Sequence, residues 1–219
     1  MLYSRQRFKL KTILIKIYEQ NKRRFRLLRR LIKAPRLPVN PGGKIYLNLG
    51  CGSASDREFI NIDVVGLPNI HHLHDIKDLS MFSSNSVDLI YASHVVEHLP
   101  RELLIKTLTE WNRVLKKNGI LRFSVPDFDQ LIKIYRGNGN DVLVIQDQVL
   151  GQKPPYDNHY TLWNFKFAER VLKESGFWPI RSWSPEKVNH HNFVDRSSRA
   201  ITVDDTTVFL SLNLEALKP

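Results

Sequence analysis

The segment "IYLNLGCGSASDREFINID", residues 45–63, decides the fold of this 219-residue chain. Its two apolar runs, Ile45–Leu49 and Phe59–Ile62, predict two β-strands. Gly50 and Gly52 follow the first run directly, and glycine there permits a positive φ and a close approach of the backbone to a ligand. The segment therefore predicts a strand, a tight turn at which a ligand can bind, and a second strand.

Asp63 ends the second predicted strand, thirteen residues after Gly50. In open α/β sheets, ligands bind beyond the carboxyl ends of the strands, where a carboxylate can accept hydrogen bonds from both hydroxyls of a ribose. The third glycine of the dinucleotide fingerprint is replaced by Ser55, and no Gly-Lys-Ser/Thr follows, so the phosphate-binding motifs are incomplete. The pattern favours a nucleoside ligand without a phosphate chain, and a tight turn with a surface acid is the alternative.

The chain after this segment alternates between short apolar runs and helical patterns. Gly119 in "KKNG" is expected to cap the first helix in the left-handed conformation. Such alternation predicts an α/β fold with a largely parallel sheet. The further predicted strands are Ile70–His74, Val87–Ala92, Ile120–Val125, Ile180–Trp183 and Thr207–Leu214, and the predicted helices are Arg101–Leu115 and Phe167–Glu174.

Six motifs in order carry a family resemblance: "LNLGCG", "INID", "DIKDL", "NSVDLIYASHVVEHL", "EWNRVLKKNGILRFSVPDF" and "LKESGF". Together they resemble the class I S-adenosylmethionine-dependent methyltransferases of the type 11 group, over about residues 44–183. The resemblance implies a Rossmann-like α/β fold with a seven-stranded, mostly parallel sheet whose last strand is antiparallel. It also implies S-adenosylmethionine as the cofactor.

The resemblance implies a cofactor site, position by position. The glycine motif would pack on the methionine part, Asp63 would bind the ribose, and Asp75 would lie near the adenine amine with Ile76 beside the ring. The stretch between Gly52 and Asp63 is short, so the first helix should be stunted or irregular. The implied cofactor-binding residues are Leu49, Gly50, Cys51, Gly52, Asp63, Asp75, Ile76 and Ser93.

Three histidines are candidates for a catalytic base, which is needed only if the methyl-accepting atom must lose a proton. We favour His94, because it follows the fourth predicted strand, and then His159; His98 is the third. Packing or hydrogen bonding without catalysis is the alternative for each. Tyr160 and Trp163 could form an aromatic wall for the substrate, although core packing is the favoured role for both.

"HVVEH", from His94 to His98, also fits the H-x-x-E-H signature of zinc proteases. On a helix the two histidines would share one face, with Glu97 as the base and Glu169 or Glu174 as a third ligand. We favour the methyltransferase interpretation, because the motif follows a clear strand, and we therefore expect no metal. A zinc hydrolase remains the alternative.

The net positive charge of the chain comes from its first 36 residues. They hold 13 of the 33 Lys and Arg residues and one of the 22 acids, so they carry +12 and the rest carries −1. Their apolar residues recur at helical spacing. Residues 5–33 are predicted to bind an anionic membrane surface or to pack on the domain, with nucleic acid a weaker alternative.

The sequence divides into a basic helical arm at 1–36, a Pro/Gly linker at 37–43 and a methyltransferase domain at 44–219. Residues 184–206 form a polar insertion between the last two strands, either a lid or acceptor-binding loop or a plain surface excursion. One cysteine, no apolar run of about 18 residues and no visible signal peptide predict a cytoplasmic protein, peripheral at the inner membrane face if the arm binds lipid.

The predicted function is methyl transfer from S-adenosylmethionine to an oxygen or nitrogen atom. A membrane-associated glycan or lipid-linked intermediate is the suggested acceptor. A scaffold that binds S-adenosylmethionine or a related nucleoside without turnover is the alternative.

Overall fold

The computed structural model describes residues 35–152, 157–188, 191, 193–203 and 206–219. The predicted basic helix of the arm and parts of the predicted insertion lie outside these residues. Within them, none of the helices is long and apolar enough to cross a membrane.

The described residues contain nine strands, which form two sheets. Seven of them pair in the order β3-β2-β1-β4-β5-β9-β6, and β7 and β8 form a separate antiparallel hairpin. In the large sheet β9 is antiparallel to both neighbours, while the other paired strands are parallel. This confirms the predicted fold. The strands are β1 Tyr46–Leu49, β2 Phe59–Asp63, β3 His72–Leu73, β4 Val87–Ser93, β5 Leu115–Pro126, β6 Ile180–Ser182, β7 Ala200–Val203, β8 Thr206–Phe209 and β9 Ser211–Leu217.

In the part of the chain that the structure describes, four α-helices follow β4, and residues 50–86, all of them described, contain none. The missing helix between β1 and β2 agrees with the short spacing between Gly52 and Asp63. The helices are α1 Leu104–Val114, α2 Phe128–Gly137, α3 Gln146–Leu150 and α4 Phe165–Glu174.

The main core lies between one face of the large sheet and the helices α1 and α4. Trp111 of α1 and Leu172 of α4 are fully buried there, against Leu47 and Phe123 of the sheet. The indole N–H of Trp111 donates to the carbonyl of Ile76 at 2.8 Å. This bond ties the helix to the loop after β3, so the loop has a fixed position although no helix precedes it.

The opposite face of the sheet is covered in part by the predicted insertion. Phe193 stacks on the ring of Tyr91 with centroids 4.5 Å apart, and the Tyr91 hydroxyl donates to Asp195 Oδ2 at 2.7 Å. Phe59 also contacts Phe193, edge to face. The described part of the insertion therefore packs on the sheet, and it is not a plain surface excursion.

Two local predictions were wrong. The predicted strand Thr207–Leu214 is two strands, because the chain leaves the hairpin at Phe209 and joins the large sheet at Ser211. Gly119 does not cap α1: Asn118 takes the positive φ of 61° instead. A Cβ at Gly119 would lie 2.8 Å from the carbonyl oxygen of Lys116, so glycine is needed there for a close backbone approach.

Candidate functional site

Two cavities open beside the carboxyl ends of β1, β2 and β4. The Asp63 cavity, of about 450 Å³, is lined by Asp63, Asp75 and Ile76 among others. The Asp195 cavity, of about 560 Å³, is lined by Cys51, Ser93 and Asp195 among others. Gly50 and His94 line both cavities. The site therefore has two compartments that meet at these two residues.

The turn after β1 requires its glycines. Gly50 and Gly52 have φ values of 60° and 52°, in the left-handed region that favours glycine. The Gly50 N–H donates to the carbonyl of Ile62 at 2.8 Å, which joins the turn to β2. A Cβ at Gly50 would lie 2.6 Å from Cγ2 of Val95. Only glycine fits, so this position lets the chain reverse tightly at the mouth of both cavities.

Asp63 holds the turn through its carboxylate. Its Oδ2 accepts the Gly52 N–H at 2.8 Å and its Oδ1 accepts the Val65 N–H at 2.7 Å. Each carboxylate oxygen can accept more than one hydrogen bond, so both retain capacity for ligand hydroxyls. The side chain is nearly buried yet lines the Asp63 cavity.

Asp75 and Ile76 line the Asp63 cavity beyond Asp63. Burial alone would raise the pKa of the Asp75 carboxyl, but hydrogen bonds and the charge of Lys77 hold it below its ordinary value. The Lys77 ammonium lies 2.8 Å from the Asp75 carboxylate. Asp75 is therefore ionised at neutral pH and can accept a hydrogen bond from an exocyclic amine, while Ile76 offers an apolar side chain beside it.

The remaining predicted cofactor-binding residues differ in placement. Cys51, Gly52 and Ser93 line the Asp195 cavity and not the Asp63 cavity. Leu49 was predicted to contact the cofactor, but its side chain is fully buried in the main core and lines neither cavity, because alternate residues of β1 face opposite sides of the sheet. Burial, and then the charge of Asp63, raise the pKa of the Cys51 thiol to about 12, so no thiolate nucleophile forms there.

His94 has an unusual backbone and two polar neighbours. Its φ is 54°, where non-glycine residues are uncommon, and it turns the chain away from β4. Its Nε2 lies 2.9 Å from the Ser211 hydroxyl, and its Nδ1 lies 3.2 Å from Glu97 Oε1. These contacts fix the ring at the junction of the two cavities.

His159, the second predicted base, lines neither large cavity. With His94 it lines a small pocket of about 20 Å³, and its ring contacts that of His98 with centroids 4.9 Å apart. Burial lowers the pKa of His159, so the ring is neutral near pH 7. The structure therefore brings His159 to His98 and Glu97 of "HVVEH"; His98 lines the Asp63 cavity, and His159 does not.

The helical zinc-protease interpretation of "HVVEH" was wrong in geometry. Only Val96–His98 is helical, as one 3-10 turn, and His94 precedes it in the left-handed conformation. Glu169 pairs with Lys173 on α4, at 2.9 Å. His94 and His98 thus do not share a helix face, and Glu169 is engaged elsewhere.

The two aromatic residues considered for a substrate wall, Tyr160 and Trp163, lie in different environments. Trp163 is buried against Phe123 in the core, as expected. Tyr160 was expected in the core but is 57% exposed and lines the Asp63 cavity. Asp157 and Arg196 line the Asp195 cavity and were not predicted, because they belong to loops without a sequence motif.

The fold and site were compared with known proteins. Residues 57–123 match a family model described as a methyltransferase domain, that of the type 11 group. Among solved structures, a methyltransferase from Archaeoglobus fulgidus described as SAM-dependent has a TM-score of 0.50 and 16% identity, over 92% of this chain and 99% of that one. One from Methanosarcina mazei has a TM-score of 0.51 and 14% identity, over 84% and 94%. A search of curated protein sequences found no match.

The glycine turn, the spare acceptor capacity of Asp63 and the ionised Asp75 fit a nucleoside cofactor. The family match and the shared fold support S-adenosylmethionine as that cofactor. Residues 57–123 thus match the methyltransferase domain of the type 11 group, in a chain that has the class I methyltransferase fold.

Proposed function

We propose that this chain transfers a methyl group from S-adenosylmethionine, bound in the Asp63 cavity, to an acceptor bound in the Asp195 cavity. The observation that carries the proposal is the position of His94, which lines both cavities. The two compartments are separate elsewhere, so His94 and Gly50 mark where a methyl donor and an acceptor would meet.

When bound, S-adenosylmethionine would supply an activated methyl group, whose carbon a lone pair on the acceptor attacks while the electrons of the carbon–sulfur bond pass to the departing sulfur. The protein contributes orientation and exclusion of water. Asp63 and Asp75 would bind the two ends of the nucleoside. His94 would orient the accepting atom and take its proton where that atom carries one.

The lining of the Asp195 cavity favours a polar acceptor. Asp157, Asp195 and Arg196 contribute charged groups, and Ser53 and Ser93 contribute hydroxyls. Such groups suit a molecule rich in hydroxyls, and we take a glycan, free or lipid-linked, as the class to test first. The predicted membrane contact of residues 5–33 would place the enzyme near a lipid-linked acceptor.

The test begins with calorimetric titration of the full chain with S-adenosylmethionine and with S-adenosylhomocysteine. Micromolar binding of either is expected. A transfer assay with methyl-labelled S-adenosylmethionine then compares saccharides with amines of similar size, using His94→Asn as the control. Labelled saccharide made by the wild type alone would support the proposal, and label on amines only would exclude a glycan acceptor.

The alternative function, a scaffold that binds the cofactor without turnover, predicts the same binding of S-adenosylmethionine and S-adenosylhomocysteine. It differs in the second assay, because it gives no labelled product with any acceptor. Absence of binding to either ligand would contradict both functions.

A further inference from the structure

Three side chains that methyl transfer does not require meet beside His94. Glu97, His98 and His159 each offer a ligand atom, and these atoms all lie within 4.8 Å of one another. We propose that Glu97, His98 and His159 bind a divalent transition-metal cation, against the sequence-based expectation of no metal.

Glu97 is the first reason. Its side chain is fully buried, and neither carboxylate oxygen has a hydrogen-bond partner among the described residues. Among the described residues, its carboxylate forms an ion pair with no Lys or Arg, and the ring of His94 lies 3.2 Å away. A buried carboxylate without a compensating charge is costly, and a bound cation would offset that cost.

The two histidines are already oriented as ligands. His159 Nδ1 lies 2.8 Å from the carbonyl oxygen of Gln148, and His98 Nδ1 lies 3.0 Å from that of Asn158. A carbonyl only accepts, so each Nδ1 carries the hydrogen and a neutral ring leaves its lone pair on Nε2. Metal-binding histidines are commonly held by this bond to a backbone carbonyl. His159 Nε2 is itself buried, with no hydrogen-bond partner in the described ranges.

The spacing suits a single ion after a small adjustment. Nitrogen and oxygen ligands lie about 2.0–2.2 Å from zinc, so two ligands of one ion are at most about 4.4 Å apart. The observed limit of 4.8 Å requires side-chain shifts of less than an ångström. Two imidazoles and one carboxylate suit ions such as Zn²⁺, Mn²⁺ or Co²⁺ better than Ca²⁺, which takes six to eight oxygens.

The position of this site indicates what the ion would do. Asp157 Oδ1 lies 3.6 Å from His98 Nε2, and Asp157 lines the Asp195 cavity. Three protein ligands leave coordination positions open for water or for an acceptor oxygen. A cation here would thus bind the acceptor beside His94; this role, unlike metal binding itself, rests on the proposed methyl transfer.

The test is metal binding by the full chain without cofactor. Protein stripped with EDTA and dialysed is titrated with ZnCl₂, and separately with MnCl₂, by calorimetry. We expect one ion per chain, with Kd at or below micromolar for at least one metal. Glu97→Gln and His159→Ala should each weaken binding tenfold or more. His74→Ala is the matched control, because it removes a histidine beside a surface carboxylate, 3.4 Å from Asp78, and should change nothing.

Melting curves distinguish loss of a ligand from loss of the fold. Without metal, Glu97→Gln should melt at or above the wild-type temperature, because it replaces a buried charge with a neutral side chain of similar shape. Addition of zinc should raise the melting temperature of the wild type and leave that of the variant unchanged. Absence of stoichiometric binding, loss of binding in His74→Ala, or a metal-free Glu97→Gln that melts below the wild type would each overturn the proposal. None of these results bears on cofactor binding, which is titrated separately with S-adenosylhomocysteine.

Discussion

The carboxylate of Asp63 accepts a 2.8 Å hydrogen bond from the backbone N–H of Gly52, across the end of the first two strands. One acid thereby fixes the glycine turn and also faces the Asp63 cavity. The shape of the turn and the proposed recognition of the ribose depend on the same side chain.

Replacement of Asp63 by alanine should weaken binding of S-adenosylhomocysteine tenfold or more, which is about 1.4 kcal/mol or above, because charge-assisted hydrogen bonds to the ribose are lost. Calorimetric titration measures the change. Asp78→Ala, which removes an exposed acid outside both cavities, is the control and should bind as the wild type does. An unchanged affinity in Asp63→Ala would refute the ribose assignment.

Asp75 should discriminate between an amine and an oxo group on the purine. The wild type is expected to bind S-adenosylhomocysteine several-fold more tightly than S-inosylhomocysteine, since the ionised carboxylate accepts from the amine and repels a carbonyl oxygen. Asp75→Ala should lose this preference. Equal preference in wild type and variant would place the base elsewhere in the cavity.

His94→Gly separates the backbone role of this residue from its chemistry. A residue with φ of 54° tolerates glycine without strain, so the melting temperature should change by no more than a few degrees. Cofactor binding should persist, while methyl transfer to the acceptor that the transfer assay identifies should fall by about 10²-fold or more. Asn85→Gly, at another positive φ away from the cavities, should transfer at the wild-type rate. Full activity in His94→Gly would exclude a catalytic role.

Cys51 should resist alkylation in the folded protein. Burial raises the pKa of its thiol to about 12, so at pH 8 almost no thiolate is present to react with iodoacetamide. Mass spectrometry should find the native chain unmodified over a time in which the chain in concentrated urea is fully alkylated. Rapid modification of the native chain would show that the turn opens readily.

The basic arm is expected to bring the chain to anionic membranes. In liposome flotation, the full chain should float with vesicles that contain anionic lipid and should remain below with neutral vesicles. A chain that begins at Pro38 is the control and should not float with either. Equal recovery of the two proteins would contradict the membrane role.

The sequence predicted the central buried strands better than the elements whose formation depends on contacts with residues far away in the chain. The strands β1, β2 and β4 appear as short, mostly apolar runs, as expected for central parallel strands. Helix α2 was not predicted, although Asp127 caps it by accepting the Asp129 N–H. The helix starts at Phe128, two residues after Pro126, where the sequence indicates only the end of a strand.

The candidate site was predictable where it follows strands and not where loops converge. Asp63 and His94 come directly after or at the ends of apolar runs, so position along the chain reveals them. The approach of His159 to Glu97 depends on a tertiary contact, in which the Tyr160 N–H donates to the carbonyl of Glu97 at 2.8 Å. No local spacing encodes that contact, and "HVVEH" alone suggested a helix that does not form.

The insertion contributes both to the stability of the fold and to the lining of the Asp195 cavity. Protein engineers usually try to vary stability and the choice of acceptor independently. Phe193 packs under the sheet while Asp195 and Arg196, two and three residues later, line the Asp195 cavity. A directed-evolution library that randomises this segment to change the acceptor will therefore lose many members to unfolding. Libraries that hold Tyr91, Phe193 and Asp195 constant and vary Ser53, Val194 and Arg196 should retain far more folded variants.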